Sequence, residues 1–149
     1  MIMKAIATVG GIGRVPRLPG TVASVVGAGL IGWLSPDPRA QIIGCLAVTA
    51  FGFWSAGPAA RAMGVKDPPA VVIDEVAGMM IGLALLPATW KVYLAGFLLF
   101  RILDIFKPGP IRGLERLPGS LGIMLDDLLA GVLTNLLLYA YLTLTRLSY

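Results

Sequence analysis

Five apolar stretches set the plan of this chain, each parted from the next by a short run rich in glycine, proline or charge. They are residues 22–34 (VASVVGAGLIGWL), 41–54 with an extension toward residue 63, 71–86, 92–106 and 122–145. Their length and continuous apolar character predict helices. Residues 1–9 read as a short amphipathic helix or a surface segment. GGIGRVPRLPGT (10–21) reads as a loop, with Thr21 or Ser24 capping the helix that follows. SPDPRA, GVKDPP and PATWK read as turns or loops, and Pro108 and Pro110 stop the fourth helix. The fifth run is long enough to cross a bilayer unaided. The first and third fall short of the ~20 residues usually needed, so they tilt, thin the bilayer or insert in part. The expected fold is all-α: a compact bundle of about five main helices with short loops, most or all membrane-embedded, forming one domain over residues 1–149.

Composition supports this reading. The 149 residues are 57% hydrophobic and 13% charged, against about 25% charged in globular domains. Mean hydropathy is +0.85. A small integral membrane protein fits; a soluble bundle with an unusually apolar surface is the alternative. Trp33, Trp54 and Trp90 lie near segment ends and read as interfacial anchors. The net charge of +4 comes from scattered Lys and Arg that form no cluster, which argues against a nucleic-acid face. The single cysteine, Cys45, can form no internal disulfide. The chain has no histidine, which excludes His-based metal sites, Ser-His-Asp triads and phosphohistidine chemistry. Lys4 and a short apolar run soon interrupted by Arg14 and Arg17 make a poor signal peptide.

The charges give a topology. With a cytoplasmic N-terminus and five alternating helices, Lys4, Arg14, Arg17, Arg61, Lys66, Arg101, Lys107, Arg112 and Arg116 fall inside, and Arg39, Lys91 and Arg146 outside. Nine against three follows the positive-inside rule. The same alternation gathers Asp74, Glu75, Asp104, Asp126 and Asp127 at the inner face.

An acid among apolar helices is costly, about 2.5–3.5 kcal/mol at a bilayer centre and less near its surface. Asp74 and Asp127 each begin the pattern D-x-x-A-G. Positions i, i+3 and i+4 share a helix face, so each Asp stands above a small-residue patch, continued by Gly82 in one helix and Thr134 in the other. Two such faces in contact would bring Asp74 and Asp127 together. Asp104 is flanked at i−3 and i+3 by Arg101 and Lys107. Those neighbours form either a local ion-pair ladder or part of a site. Carboxylates without His or Cys suit a hard cation such as Mg²⁺, which takes oxygen ligands and bridges to phosphate. Gly10, Gly11, Gly13, Gly20 and Thr21 offer backbone N–H groups near a helix N-terminus. Arg14, Arg17, Lys107 and Arg112 would bind phosphate or anionic headgroups.

PGTVAS (19–24), VVIDEVAGM (71–79), FRILDIFKPGPIR (100–112) and GIMLDDLLAG (122–131) span most of the chain. Through them the sequence resembles the phosphatidylglycerophosphatase A family, and the pairing of FRxxDxxKPxPI with GIMxDDxxAG is specific. The resemblance implies an Mg²⁺-dependent phosphatase of phospholipid biosynthesis that converts phosphatidylglycerophosphate to phosphatidylglycerol and phosphate. It implies a bacterial-type inner membrane, with the active site on the cytoplasmic face. It also implies Asp126, Asp127, Asp104 and Lys107 as catalytic residues, and Asp74, Glu75, Asp104 and Asp127 as metal ligands. Gly20, Thr21, Ser24, Lys107 and Arg112 would bind the substrate phosphate. Two positions depart from the family pattern: Gly109, where many relatives carry an aromatic residue, and Gly119-Ser120, where relatives often have Gly-Gly.

The expected chemistry is metal-assisted hydrolysis of a phosphate monoester, with Lys107 and Arg112 offsetting charge on the transferring group. The nucleophile is a water, or the carboxylate of Asp127 or Asp126. The lack of a DxD motif argues against the haloacid-dehalogenase type. Two other classes stay open: a cation or proton transporter, whose acids should lie near the midplane, and a non-catalytic membrane scaffold. The expected partners are the lipid substrate and the bilayer, with no nucleic acid and no obligate protein partner.

Overall fold

The structure is a computed structural model that describes residues 1–145, and among these every regular element is helical. Arg146, one of the three outer cations in the charge count, lies outside the described residues. The helices are α1 (Ile2–Ala7), α2 (Pro19–Leu34), α3 (Pro38–Met63), α4 (Ile73–Leu83), α5 (Trp90–Phe106), α6 (Pro110–Leu114) and α7 (Ser120–Leu144). A tight helical turn over Val9–Arg14 follows α1. The five predicted helices are α2, α3, α4, α5 and α7; α1 and α6 are short additions.

The boundaries differ from the sequence reading for identifiable reasons. Helix α2 starts at Pro19, where a fixed φ and a missing N–H suit a first turn. Neither Thr21 nor Ser24 caps it. Leu18 stands at the cap position, and the Ser24 hydroxyl donates to Gly20 O at 2.9 Å. Asp37 caps α3 by accepting from Arg39 N, and Gly64 ends that helix at φ +73°. The predicted loop after Pro108 contains α6, entered through Gly109 at φ +35°. Gly119 precedes α7 at φ +61°. Both positions that depart from the family pattern therefore lie in turns that favour glycine.

Helix α4 is central. It packs on α2, α3, α5 and α7, and its residues Ile73, Val76, Ala77, Met79, Met80 and Leu83 are buried. It stops at Leu83 rather than at residue 86, and Leu85 takes a left-handed φ of 59°. The exposed carbonyls at its end are met from α7, where Asn135 Nδ2 donates to Ile81 O (3.1 Å), Gly82 O (3.4 Å) and Ala84 O (2.9 Å). Leu85 N donates to Gln41 Oε1 of α3 at 2.7 Å. These side chains do what water does for an exposed helix end.

The α4–α7 contact confirms the D-x-x-A-G reading. A Cβ on Gly131 would collide with Gly78 O, and one on Gly78 would lie 2.5 Å from Asp127 O. One on Gly82 would press on Thr134 Cγ2 at 3.3 Å. The two helices thus run parallel, in register from Asp74–Asp127 through Gly78–Gly131 to Gly82–Thr134. The outer faces carry exposed Ile42, Ile43 and Leu46 on α3, Leu94 and Leu98 on α5, and Leu136 and Leu137 on α7. Helices α3 and α7 are long and apolar enough to cross a membrane. With 11 residues, α4 is about 16 Å long, roughly half of a bilayer's hydrocarbon thickness.

This packing predicts a contrast between two glycines. Gly131→Leu forces α4 and α7 apart and costs at least about 1–3 kcal/mol, the usual price of overpacking. Gly29 faces open space, so Gly29→Leu leaves stability nearly unchanged. Thermal unfolding of both variants in detergent, with size-exclusion profiles, checks this; equal stability would remove the close α4–α7 approach.

Candidate active site

The N-terminal turn of α4 carries Asp74 and Glu75. Asp127 is the eighth residue of α7, about 10 Å along its axis. Because α4 and α7 are in register at their glycines, Asp74, Glu75 and Asp127 converge. One carboxylate oxygen from each lies within 4.8 Å of the other two. Asp74 and Asp127 are buried, with 8% and 3% exposure. Asp74 Oδ1 and Glu75 Oε2 are buried without any hydrogen-bond partner. Buried polar atoms are ordinarily paired. Three carboxylates this close repel one another, and a cation among them removes both the repulsion and the orphaned oxygens.

The other two predicted acids have partners. Arg101 Nη1 donates to Asp104 Oδ2 at 2.6 Å. Lys107 Nζ donates to Asp126 Oδ2 at 2.5 Å, and Asp126 Oδ1 accepts from Asp127 N at 3.0 Å. Lys107 therefore does not complete a ladder with Asp104. It ends α5 in a left-handed conformation, φ 43°, which turns its side chain toward α7. Glu115 stands 3.8 Å away on its other side. Burial opposes the charge on Lys107, but the hydrogen bond and charge of Asp126, helped by Asp127 and Glu115, hold its pKa above the ordinary lysine value. It is a cation at any physiological pH. The arrangement thus sorts five acids into two neutralised by cations and three left for an ion. Asp104, although paired, remains within electrostatic reach of Glu75 and Asp127.

Gly20, in the first turn of α2, meets this cluster. A Cβ there would overlap Glu75 Oε1 and lie 3.3 Å from Arg101 Nη1. Thr21 follows it on the same turn. Ser24 is fully buried with its hydroxyl bonded to Gly20 O, one turn behind that edge. Arg112, on α6, donates to Phe106 O at 3.3 Å and is exposed, so it stands apart from the trio. Arg101, a candidate in the sequence to compensate the acids, pairs with Asp104. Two nearby charges escaped the sequence reading as site residues. Asp67, in the GVKDPP loop, lies within electrostatic reach of Lys107, Asp74 and Asp126, and no local pattern marks it. Glu115 is likewise placed only by the turn after α6.

Comparison with known proteins supplies an independent line. The model of the family "Phosphatidylglycerophosphatase A" matches residues 5–142. Phosphatidylglycerophosphatase A of Escherichia coli (strain K12) is 38% identical over 135 residues, covering 87% of this chain and 77% of that protein. A Bacteroides thetaiotaomicron protein named "Putative phosphatidylinositol-3-phosphatase" is 37% identical, covering 86% of each chain. Phosphatidylglycerophosphatase A of Haemophilus influenzae is 45% identical over 80 residues, 52% of this chain and 49% of that protein. No solved structure matches the chain at a significant level.

The trio predicts where a divalent cation binds. Asp127→Asn should weaken Mn²⁺ binding at least tenfold, roughly 1.4 kcal/mol. Asp37→Asn, which alters only the α3 cap, should leave it unchanged. Calorimetric titration of the detergent-purified protein measures both; equal affinities would assign the acids protein partners only.

Proposed function

As the chain belongs to the phosphatidylglycerophosphatase A family and is a phosphatase, we propose that it hydrolyses the terminal phosphate monoester of phosphatidylglycerophosphate, giving phosphatidylglycerol and phosphate, with Mg²⁺ at the carboxylate trio. The observation that carries the metal is the trio itself: three convergent oxygen donors with two buried, unpartnered atoms among them. An all-oxygen set without His or Cys fits Mg²⁺. Asp74, Glu75 and Asp127 would hold the ion. Bound there, it supplies Lewis-acid polarisation of a phosphoryl oxygen and lowers the pKa of a water nucleophile.

The chain's own residues do the rest. Lys107 presents a permanent positive charge to the phosphoryl group as negative charge builds on it. Asp126 holds Lys107 in place through one oxygen and is tied to the α7 backbone through the other. That double engagement supports a positioning role for Asp126 and water as the attacking group. Asp104 adds negative charge beside the trio. Gly20 has no side chain to keep the first turn of α2 from Glu75, and the N–H groups of Gly20 and Thr21 offer an anion site. Ser24 fixes the shape of that turn. Arg112 meets the outer part of the lipid headgroup.

The setting we propose is the cytoplasmic face of the inner membrane. Support comes from the nine-to-three charge split and the exposed apolar helix faces. Transport and scaffolding, open on sequence grounds, gain nothing from a family of phosphatases.

Purified protein should release phosphate from phosphatidylglycerophosphate in mixed micelles. Chelator should abolish this, Mg²⁺ restore it, Mn²⁺ substitute in part, and Ca²⁺ compete without turnover. Phosphatidylinositol 3-phosphate, assayed alongside, should be the poorer substrate. Full activity in excess chelator would remove the metal from the mechanism. Asp127→Asn and Lys107→Ala should each lower kcat by at least ~10²-fold, about 2.7 kcal/mol of barrier, while the protein stays monodisperse. Loss of activity only together with loss of fold would make both residues structural. Single cysteines replacing Lys66 and Gly113, in a Cys45→Ala background, should resist an impermeant thiol reagent in intact cells and react in inverted membranes. Labelling of either from outside would separate the loops and defeat a common cytoplasmic site.

A further inference from the structure

Lys107 stands on the α6–α7 side of the carboxylate trio, bonded to Asp126 and near Glu115. The α2 side has a cation of its own. Arg101 lies in the last turns of α5, and its side chain is largely buried, at 18% exposure. Its Nη1 donates to Asp104 Oδ2. The same nitrogen comes within 3.3 Å of where a Cβ on Gly20 would lie, a position that also overlaps the Glu75 carboxylate. The guanidinium, Glu75 and the first turn of α2 therefore meet around one point. An ion pair with a neighbour three residues along one helix would not require Arg101 to reach α2.

The guanidinium has five N–H donors in a planar fork. Among the described residues, Asp104 is its hydrogen-bonded partner, so most of the fork is uncommitted. Nor does Arg101 satisfy the trio, since Asp74 Oδ1 and Glu75 Oε2 stay without partners beside it. A phosphate monoester has three peripheral oxygens, more than one cation held by the trio can neutralise. The surplus oxygens need donors, and a partly desolvated Arg fork matches two of them at once.

On the phosphatase reading above, we propose that Arg101 is a catalytic residue that binds the substrate phosphate from the α2 side, complementing Lys107 on the other. Asp104 holds the fork in orientation, and the absence of a side chain at Gly20 leaves the fork room beside the helix N-terminus.

The test separates phosphate contact from a structural ion pair. Three quantities are measured on wild type, Arg101→Lys and Arg101→Ala in detergent: kcat/KM, inhibition by inorganic phosphate, and Mn²⁺ affinity by calorimetry. Arg101→Ala should lower kcat/KM about 10²-fold, in line with loss of one donor to a developing charge. Arg101→Lys, which keeps the charge and loses the fork, should lower it roughly tenfold. Both should weaken phosphate inhibition while Mn²⁺ affinity stays within about threefold of wild type, because the ion is held by other residues. Added guanidinium should partly restore Arg101→Ala. If Arg101→Lys matches wild type in kcat/KM and phosphate inhibition, a bare charge suffices and the proposal fails. It also fails if Mn²⁺ and phosphate affinity fall together, since Arg101 then only braces Asp104. Should Arg101→Ala not fold, Arg101→Lys alone decides. If wild type does not hydrolyse phosphatidylglycerophosphate, the phosphatase reading falls, and calorimetric phosphate binding to Mn²⁺-loaded wild type and Arg101→Lys still judges Arg101.

Discussion

The close approach of α4 and α7 at Gly78 and Gly131 is the contact on which the site depends. Apolar side chains gain little from meeting one another in lipid, so membrane helices associate through tight packing where small residues allow it. Here the backbones touch: a methyl group at Gly131 would already strike Gly78 O. That contact fixes the rotation and the axial register of both helices. Asp74 stands four residues before one glycine and Asp127 four before the other, so register at the glycines becomes convergence at the acids. The distance between two carboxylates is thus set by a contact that contains no charge.

Electrostatics then divides the work. Asp104 and Asp126 are paired with Arg101 and Lys107, although Asp104 still acts on Glu75 and Asp127. Asp74, Glu75 and Asp127 have no ion pair among the described residues. In a low-dielectric interior an unpaired carboxylate is expensive, and three side by side favour a cation among them. The two cations paired with acids are themselves largely buried, so the site holds positive charge beside its negative charge.

Much of this was legible in the sequence. Five apolar runs gave five helices, and the repeated D-x-x-A-G gave the α4–α7 face, because helical periodicity converts spacing directly into direction. The acids Asp74 and Asp127 came with that face, while Glu75 was gathered with them by the charge alternation. What was not legible depended on chain reversals. Lys107 looked like a neighbour of Asp104 because it follows it by three residues, the spacing of one helix face. The left-handed turn at Lys107 sends its side chain to Asp126 instead, and no residue type announces a non-glycine in that conformation. Asp67 and Glu115 reach the site from loops, where no periodicity exists to read. The start of α2 at Pro19 rather than after Thr21 has a similar origin: a Gly- and Pro-rich run reads as loop, although proline is at home in a first turn.

The shortness of α4 has a consequence for how the protein is made. A segment of 11 residues with two acids at its start is a weak candidate for independent insertion into a bilayer. At its far end Asn135 meets its last carbonyls, and at its near end Asp127 joins its acids, both from α7. Until α7 has left the ribosome, α4 lacks the helix it approaches most closely and the Asn135 donor. The earlier helices can be in place, yet the carboxylate trio comes into being only once α7 is synthesised. A chain stalled before α7 therefore carries no assembled carboxylate trio.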